Sequence, residues 1–299
     1  NPVERFNQWG QRQLDMKMQE SYINPDGSQR SWNRTSIDDP TPAYSNNPYW
    51  DRNMNYQNDK RDRYYGNVGA SWQILNWLKL QGKLNLDNYV FSTYERVAIG
   101  SASQSSYQEQ QRNNSELNAE FLFLIDKTFN KDWRLNATFG GNMMDRHYKL
   151  LAGSTVGGLI IPELYTVSNA LSNVTLDYSS WKRINSLYGS ASLGWRSMIY
   201  LDITGREDWS STLPAGKNAY FYPSVSVSWV ASELAALKEM KWLSFAKIRG
   251  GFAQVGNDTD PYRTSLTYAN FLDPNGYPYH FPPYGLYTLP TTLNNPDLK

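Results

Sequence analysis

Between Asn185 and Trp229 three runs alternate apolar and polar residues with a period of two, and no other feature constrains the fold of this chain as tightly. Leu187, Gly189, Ala191, Leu193 and Trp195 interleave with Ser186, Tyr188, Ser190, Ser192 and Gly194. The same beat continues through Ile199 to Arg206 and through Tyr220 to Trp229. Successive side chains of an extended chain point to opposite faces, so each run predicts a strand with one apolar and one polar face. Two architectures accept such strands. A soluble sandwich buries the apolar face against a second sheet, whereas a membrane barrel turns it to lipid and lines its lumen with the polar face.

The rest of the chain separates these two. Upstream, Tyr64 to Ile74, Leu78 to Asp87, Glu116 to Ile125 and Trp133 to Met143 carry the same alternation; downstream, Ser244 to Val255 repeats it. The connections alternate short and long. Outer-membrane barrels are built this way, with tight periplasmic turns and long external loops. Traced as a zigzag, the chain gathers Trp72, Trp133, Trp195, Trp229 and Trp242 at the short-turn end, with Trp77 beside them. Indoles collect at bilayer interfaces, because the ring is apolar while its N–H needs a polar partner. A sandwich gives no reason for that segregation. These five residues are therefore read as a periplasmic aromatic girdle. Phe6 to Met18 carries a weak helical signal, and short helices are expected near Pro162 and over Ser232 to Glu239 with a serine cap.

Composition closes several other routes. The formal net charge is +1, which indicates no nucleic-acid partner. Cysteine is absent, removing disulfides, thiol catalysis and cysteine metal sites. No apolar run is long enough for a transmembrane helix. His147 and His280 stand far apart without cysteine companions, so no zinc centre is expected. Asn257 to Asp260 offers oxygen ligands but lacks the glycine and terminal glutamate of an EF-hand loop, and reads as a capped turn. Glu116 with Glu120, or Glu207 with Asp208, could be drawn as a glycosidase pair. On a strand beside Lys83 and Arg134 the first two read as lumen charges, and the second two as turn formers. No cofactor and no enzymatic activity are expected.

Four stretches resemble one family. Leu201 to Ser211 followed by Tyr222-Pro-Ser224 and Trp229, the Asn-Pro-Tyr-Trp segment ending at Trp50, Lys247 to Asn257, and Asn295 to Lys299 are similar, in order, to SusC/RagA TonB-dependent outer-membrane transporters. The resemblance implies an all-β antiparallel transmembrane barrel segment, about eight strands of about 22, with long extracellular loops. It also implies import of a glycan oligosaccharide or peptide, a SusD-like lipoprotein partner, and TonB acting through an amino-terminal part outside this chain. The location implied is the outer membrane of a Gram-negative bacterium. On this reading residues 1–63 are an extracellular loop region, 64–256 the barrel strands, and 257–299 a further extracellular loop. Lys83, Asp87, Glu116, Glu120, Arg134, Arg206, Lys247 and Arg249 are expected to face the lumen. Tyr165, Trp181, Trp209 and Tyr220 are expected in external loops, where they could meet ligand or lid. A secreted carbohydrate-binding domain and a surface glycosidase are the alternatives.

Overall fold

The computed structural model describes residues 14–240, 242–265, 267–270, 280–281, 284–290 and 294–295. Most of the expected Phe6–Met18 helix and of the Asn295–Lys299 motif lies outside them; Met16–Glu20 forms a single 3₁₀ turn capped by Asp15. The dominant element is one antiparallel sheet whose strands neighbour each other in sequence order. Its strands are β1 (Gln57–Leu75), β2 (Leu78–Val97), β3 (Ser106–Phe129), β4 (Trp133–Leu159), β5 (Ala170–Trp195), β6 (Ile199–Ser210), β7 (Ala219–Val230) and β8 (Lys247–Ala253). With β1 and β8 at its edges, this is the meander that short turns between consecutive strands dictate.

Residues 76–77, 130–132 and 196–198 make the tight turns at one end. The fourth connection at that end, residues 231–246, is longer and holds a 3₁₀ turn (Ala231–Glu233) and one helical turn (Ala235–Lys238). Ser232 does not cap it; Leu234 occupies that position and makes no side-chain cap bond. At the other end the connections are 98–105, 160–169 and 211–218. The expected long loops are therefore shorter than the alternation suggested. Much of Val97–Asn113 and Tyr148–Lys182 continues β2, β3, β4 and β5. In residues 106–113 of β3 both faces are wet, so the strand has no apolar–polar beat to read, yet its ladder still forms. The helix expected near Pro162 is a turn. The Asn169 side chain accepts from the Ile161 N–H at 2.9 Å and donates to the Leu164 carbonyl at 2.6 Å, closing the connection without helical bonds.

Register fixes the faces. Leu193 pairs with Leu201 and Leu201 with Val227, while Ser192 pairs with Asp202 and Asp202 with Ser226. Ser228 continues the polar row to Arg249. The apolar row stays exposed: Leu187, Ile203, Val225 and Val227 are each more than 40% accessible. Leucine and valine left open along several adjacent strands are the inverse of a soluble core.

Packing divides the chain into two compact units. One takes the residues up to Arg63 with Tyr89–Asn113 and Tyr148–Ser179; the other takes Tyr64–Asn88, Asn114–His147 and the residues from Ser180 onward. In the first, residues 14–56 of the segment expected to be an extracellular loop are folded around a short helix. That helix, Pro48–Asn53, has six residues, with proline in the first turn and Asn47 as N-cap. Asn47 is fully buried, accepting from the Tyr49 N–H and donating to the Gln19 and Arg30 carbonyls. Trp50, 1% exposed, donates its indole N–H to Ser101 and packs against Gly100, whose φ of +92° suits glycine.

Candidate functional site

The second unit carries the chemistry. On the polar face Tyr188 of β5 pairs with Arg206 of β6, and Arg206 pairs with Tyr222 of β7. One step along, Ser186 pairs with Asp208 and Asp208 with Tyr220. Arg206 is the hub. Its Nε donates to Asp208 Oδ1 at 2.8 Å and its Nη2 to Ser186 Oγ at 2.9 Å, while its guanidinium lies 5.3 Å from the Tyr188 ring. Glu120 of β3 lies within hydrogen-bonding reach of the Tyr188 phenol. Tyr220 and Tyr222 stack with centroids 6.4 Å apart and planes 10° apart, and the Tyr220 hydroxyl is buried without a hydrogen bond.

Beside this wall the segment after β8 folds back. Asp258 meets Lys182 Nζ at 2.7 Å and accepts from Ser210 Oγ at 2.7 Å; Ser210 and Thr212 lie 2.8 Å apart. Ser210 and Thr212 are only 2% and 3% exposed, so the carboxylate is held by an ammonium and two hydroxyls away from bulk water. The expected capped turn at Asn257–Asp260 is thus an anchor, and its central acid is already satisfied. Among the described residues no group of three or more potential metal ligands forms.

Two of the charges expected on one face, Glu116 and Arg134, sit in ion pairs. Glu116 Oε2 accepts from both Nε and Nη2 of Arg146, and Asp87 lies near enough to oppose its charge. Arg134 grips Asp126 through Nε and Nη2. Lys247 lies 6.0 Å from the Tyr200 ring, and Arg249 is paired opposite Ser228. Lys83 lies beside Gly69 of the neighbouring strand. The wall thus offers alternating charge and phenol rings, a surface that suits polar ligands of low net charge.

Of the four expected loop aromatics only Tyr165 sits in a connection. It packs 4.3 Å from Arg96, its hydroxyl buried without a hydrogen bond, and burial pushes its phenol upward in pKa. Trp181, Trp209 and Tyr220 are strand residues. Trp209 pairs with Asn185 on the apolar face, and Trp181 shares that face's parity on β5. The Trp181 indole donates to Asp145 Oδ1 at 2.8 Å and stacks on His147. Tyr220 alone of the three joins the polar wall. The hub residues Ser186, Asp208 and Tyr222 were missed as a group, although carrying the two-residue parity past Gly205 places all three on the row of Arg206.

Of the expected girdle, Trp133 and Trp195 touch at 6.3 Å between centroids beside the short turns. Trp72 and Trp242 are largely exposed, and Trp229 pairs with Ile199 on the apolar face.

No protein-family model matches the sequence, and no curated protein does. Solved structures do share the fold. The RagAB peptide transporter superposes with a TM-score of 0.72 at 15% identity, covering 91% of this chain. The RagAB peptide importer in its "closed-closed" and "open-open" states gives 0.71 and 0.70 at 16% identity, covering 93%. The chain spans 30% of the length of each of those chains. At such identities the likeness is one of fold alone: this chain folds like a segment of those longer chains.

Proposed function

We propose that this chain is part of the wall of a TonB-dependent outer-membrane importer that passes peptides or glycan oligosaccharides and works with a SusD-like surface lipoprotein. The observation that supports it is the two-faced sheet itself. An eight-stranded antiparallel meander with an exposed Leu/Val/Trp face and a Ser/Tyr/charged face has the fold of a barrel transporter segment over nine-tenths of its length. On this reading the apolar face meets lipid, and the wall around Arg206, Glu120, Tyr188, Tyr220 and Tyr222 meets the ligand's path. Long strands suit the role. A membrane strand needs about 9–11 residues, whereas β3, β4 and β5 have 24, 27 and 26. The excess would stand above the bilayer, where a lid and ligand could engage it.

Uptake by intact cells expressing the full-length protein tests the reading. Fluorescent oligopeptides and oligosaccharides should be offered with and without TonB. Accumulation of one class that requires both the transporter and TonB is expected. Recovery of the protein in a detergent-free soluble fraction, or hydrolysis of the ligand without uptake, would replace the importer by one of the two alternatives.

A further inference from the structure

The apolar face is not a uniform band of large side chains. It holds a groove of about 780 Å³ among the described residues of the second unit. Ala70, Gly82, Ala119 and Gly141, contributed by four consecutive strands, lie in it, between Leu84, Phe121 and Leu187. At Gly82 nothing but a backbone oxygen 4.0 Å away would meet an added Cβ, so the space beside it is open. A second apolar groove of about 380 Å³ shares Val68 and Leu84 with the first and extends it along β1 and β2.

One end of the groove carries headgroup chemistry. Asn185 and Trp209, a cross-strand pair, line that end. Two residues further along β4 and β5, about 7 Å, Asp145 and Arg183 form an ion pair, and beyond them His147 and Trp181 stack at 5.9 Å. Asp145 is 8% exposed and is enclosed by the Trp181 indole, the Arg183 guanidinium and the His147 imidazole. Its charge is consumed inward. Arg183 has five N–H donors and spends Nε and Nη2 on Asp145, so Nη1 is free for another acceptor while the side chain stays 42% exposed. His147 is 66% exposed and Trp181 44%.

An apolar groove on a lipid-facing wall, with a guanidinium, an imidazole and an indole next along β4 and β5, has the chemistry of a single amphiphile: hydrocarbon chains on one side, phosphate and sugar on the other. We infer that this face is a binding site for a phosphorylated glycolipid of the outer leaflet, with an acyl chain in the groove and its phosphorylated sugar at Arg183, His147 and Trp181. The inference rests on the membrane reading given above.

The test is lipid retention by the full-length protein, extracted from outer membranes, washed extensively in mild detergent, and scored by mass spectrometry of the bound lipid. The wild type should keep a phosphorylated glycolipid. Gly82→Phe, which fills the groove, and Arg183→Gln, which removes the charge-assisted bond, should each lower retention about tenfold. Val227→Phe, on the same face away from the groove, should leave it unchanged. If Gly82→Phe fails to fold, as read by heat-modifiable gel mobility, Ala119→Leu takes its place. Equal retention by all variants would mean ordinary lipid contact and overturn the site, as would a tightly held protein or a lipid without phosphate. A wild type that folds in detergent yet keeps no glycolipid also overturns it while leaving the barrel reading intact; solubility without detergent would strike the barrel reading itself.

Discussion

Val227 and Ser226 are adjacent in sequence and lie on opposite faces of the sheet. Val227 is 48% exposed and paired with Leu201, whereas Ser226 faces Asp202 across the polar row. Arginine at the first position would place a charge in hydrocarbon, costing roughly 2–4 kcal/mol near mid-bilayer. At the second it would gain a carboxylate neighbour. Val227→Arg should therefore sharply reduce folded yield of the full-length protein in lipid vesicles, and Ser226→Arg should leave it near wild type. Urea titration of the folded fraction checks this; equal loss in both variants would refute the face assignment. Such parity was legible residue by residue in the sequence. Pairings such as Lys182 with Asp258 were not, because 76 positions of chain separate the two and only the fold joins them.

The elements were legible to different degrees for a physical reason. Where one face is apolar, as in β6 and β7, alternation marked the strand throughout its core. In the first-unit stretch of β3, residues 106–113, Gln, Glu, Arg and Asn occupy both faces and the beat disappears, whereas Val174, Leu176 and Tyr178 of β5 keep it. In β3 the sequence therefore marked where alternation stopped rather than where the strand did. The Pro48–Asn53 helix escaped notice since six residues give less than two periods, though Asn before Pro is itself a start signal. That helix has a specific weak point. Asn47→Ala removes the cap, worth about 0.5–2 kcal/mol, and takes away the hydrogen bonds to the part-buried Gln19 and Arg30 carbonyls. The expected outcome is local opening of the residues around it rather than global unfolding. Limited proteolysis should cut the variant within residues 14–56 while the strands stay resistant; Asn47→Asp, which keeps the cap oxygen but loses the two amide bonds, should fall between.

Across the whole molecule, the tight turns and the longer connections should lie on opposite sides of one membrane. This chain brings no cysteine of its own, so each thiol introduced into it is a defined labelling site. Ser103→Cys and Ala215→Cys sit at exposed positions in residues 98–105 and 211–218; Asn76→Cys and Lys131→Cys sit at exposed positions in the tight turns. A membrane-impermeant maleimide added to intact cells should label the first pair and reach the second only after the outer membrane is opened. Labelling of the second pair alone would invert the orientation.

The two edge strands bear on how such a wall can be assembled. β1 and β8 are the two edges of this sheet among the described residues. In hydrocarbon each unmet peptide group costs several kcal/mol, so an inserted sheet halted at these eight strands would sit at a steep energetic maximum rather than a resting point. Insertion and lateral closure must then proceed together. The wall behaves as a zip fastener open at both ends, and whatever catalyses its entry into the membrane has to hold those edges until neighbouring strands arrive.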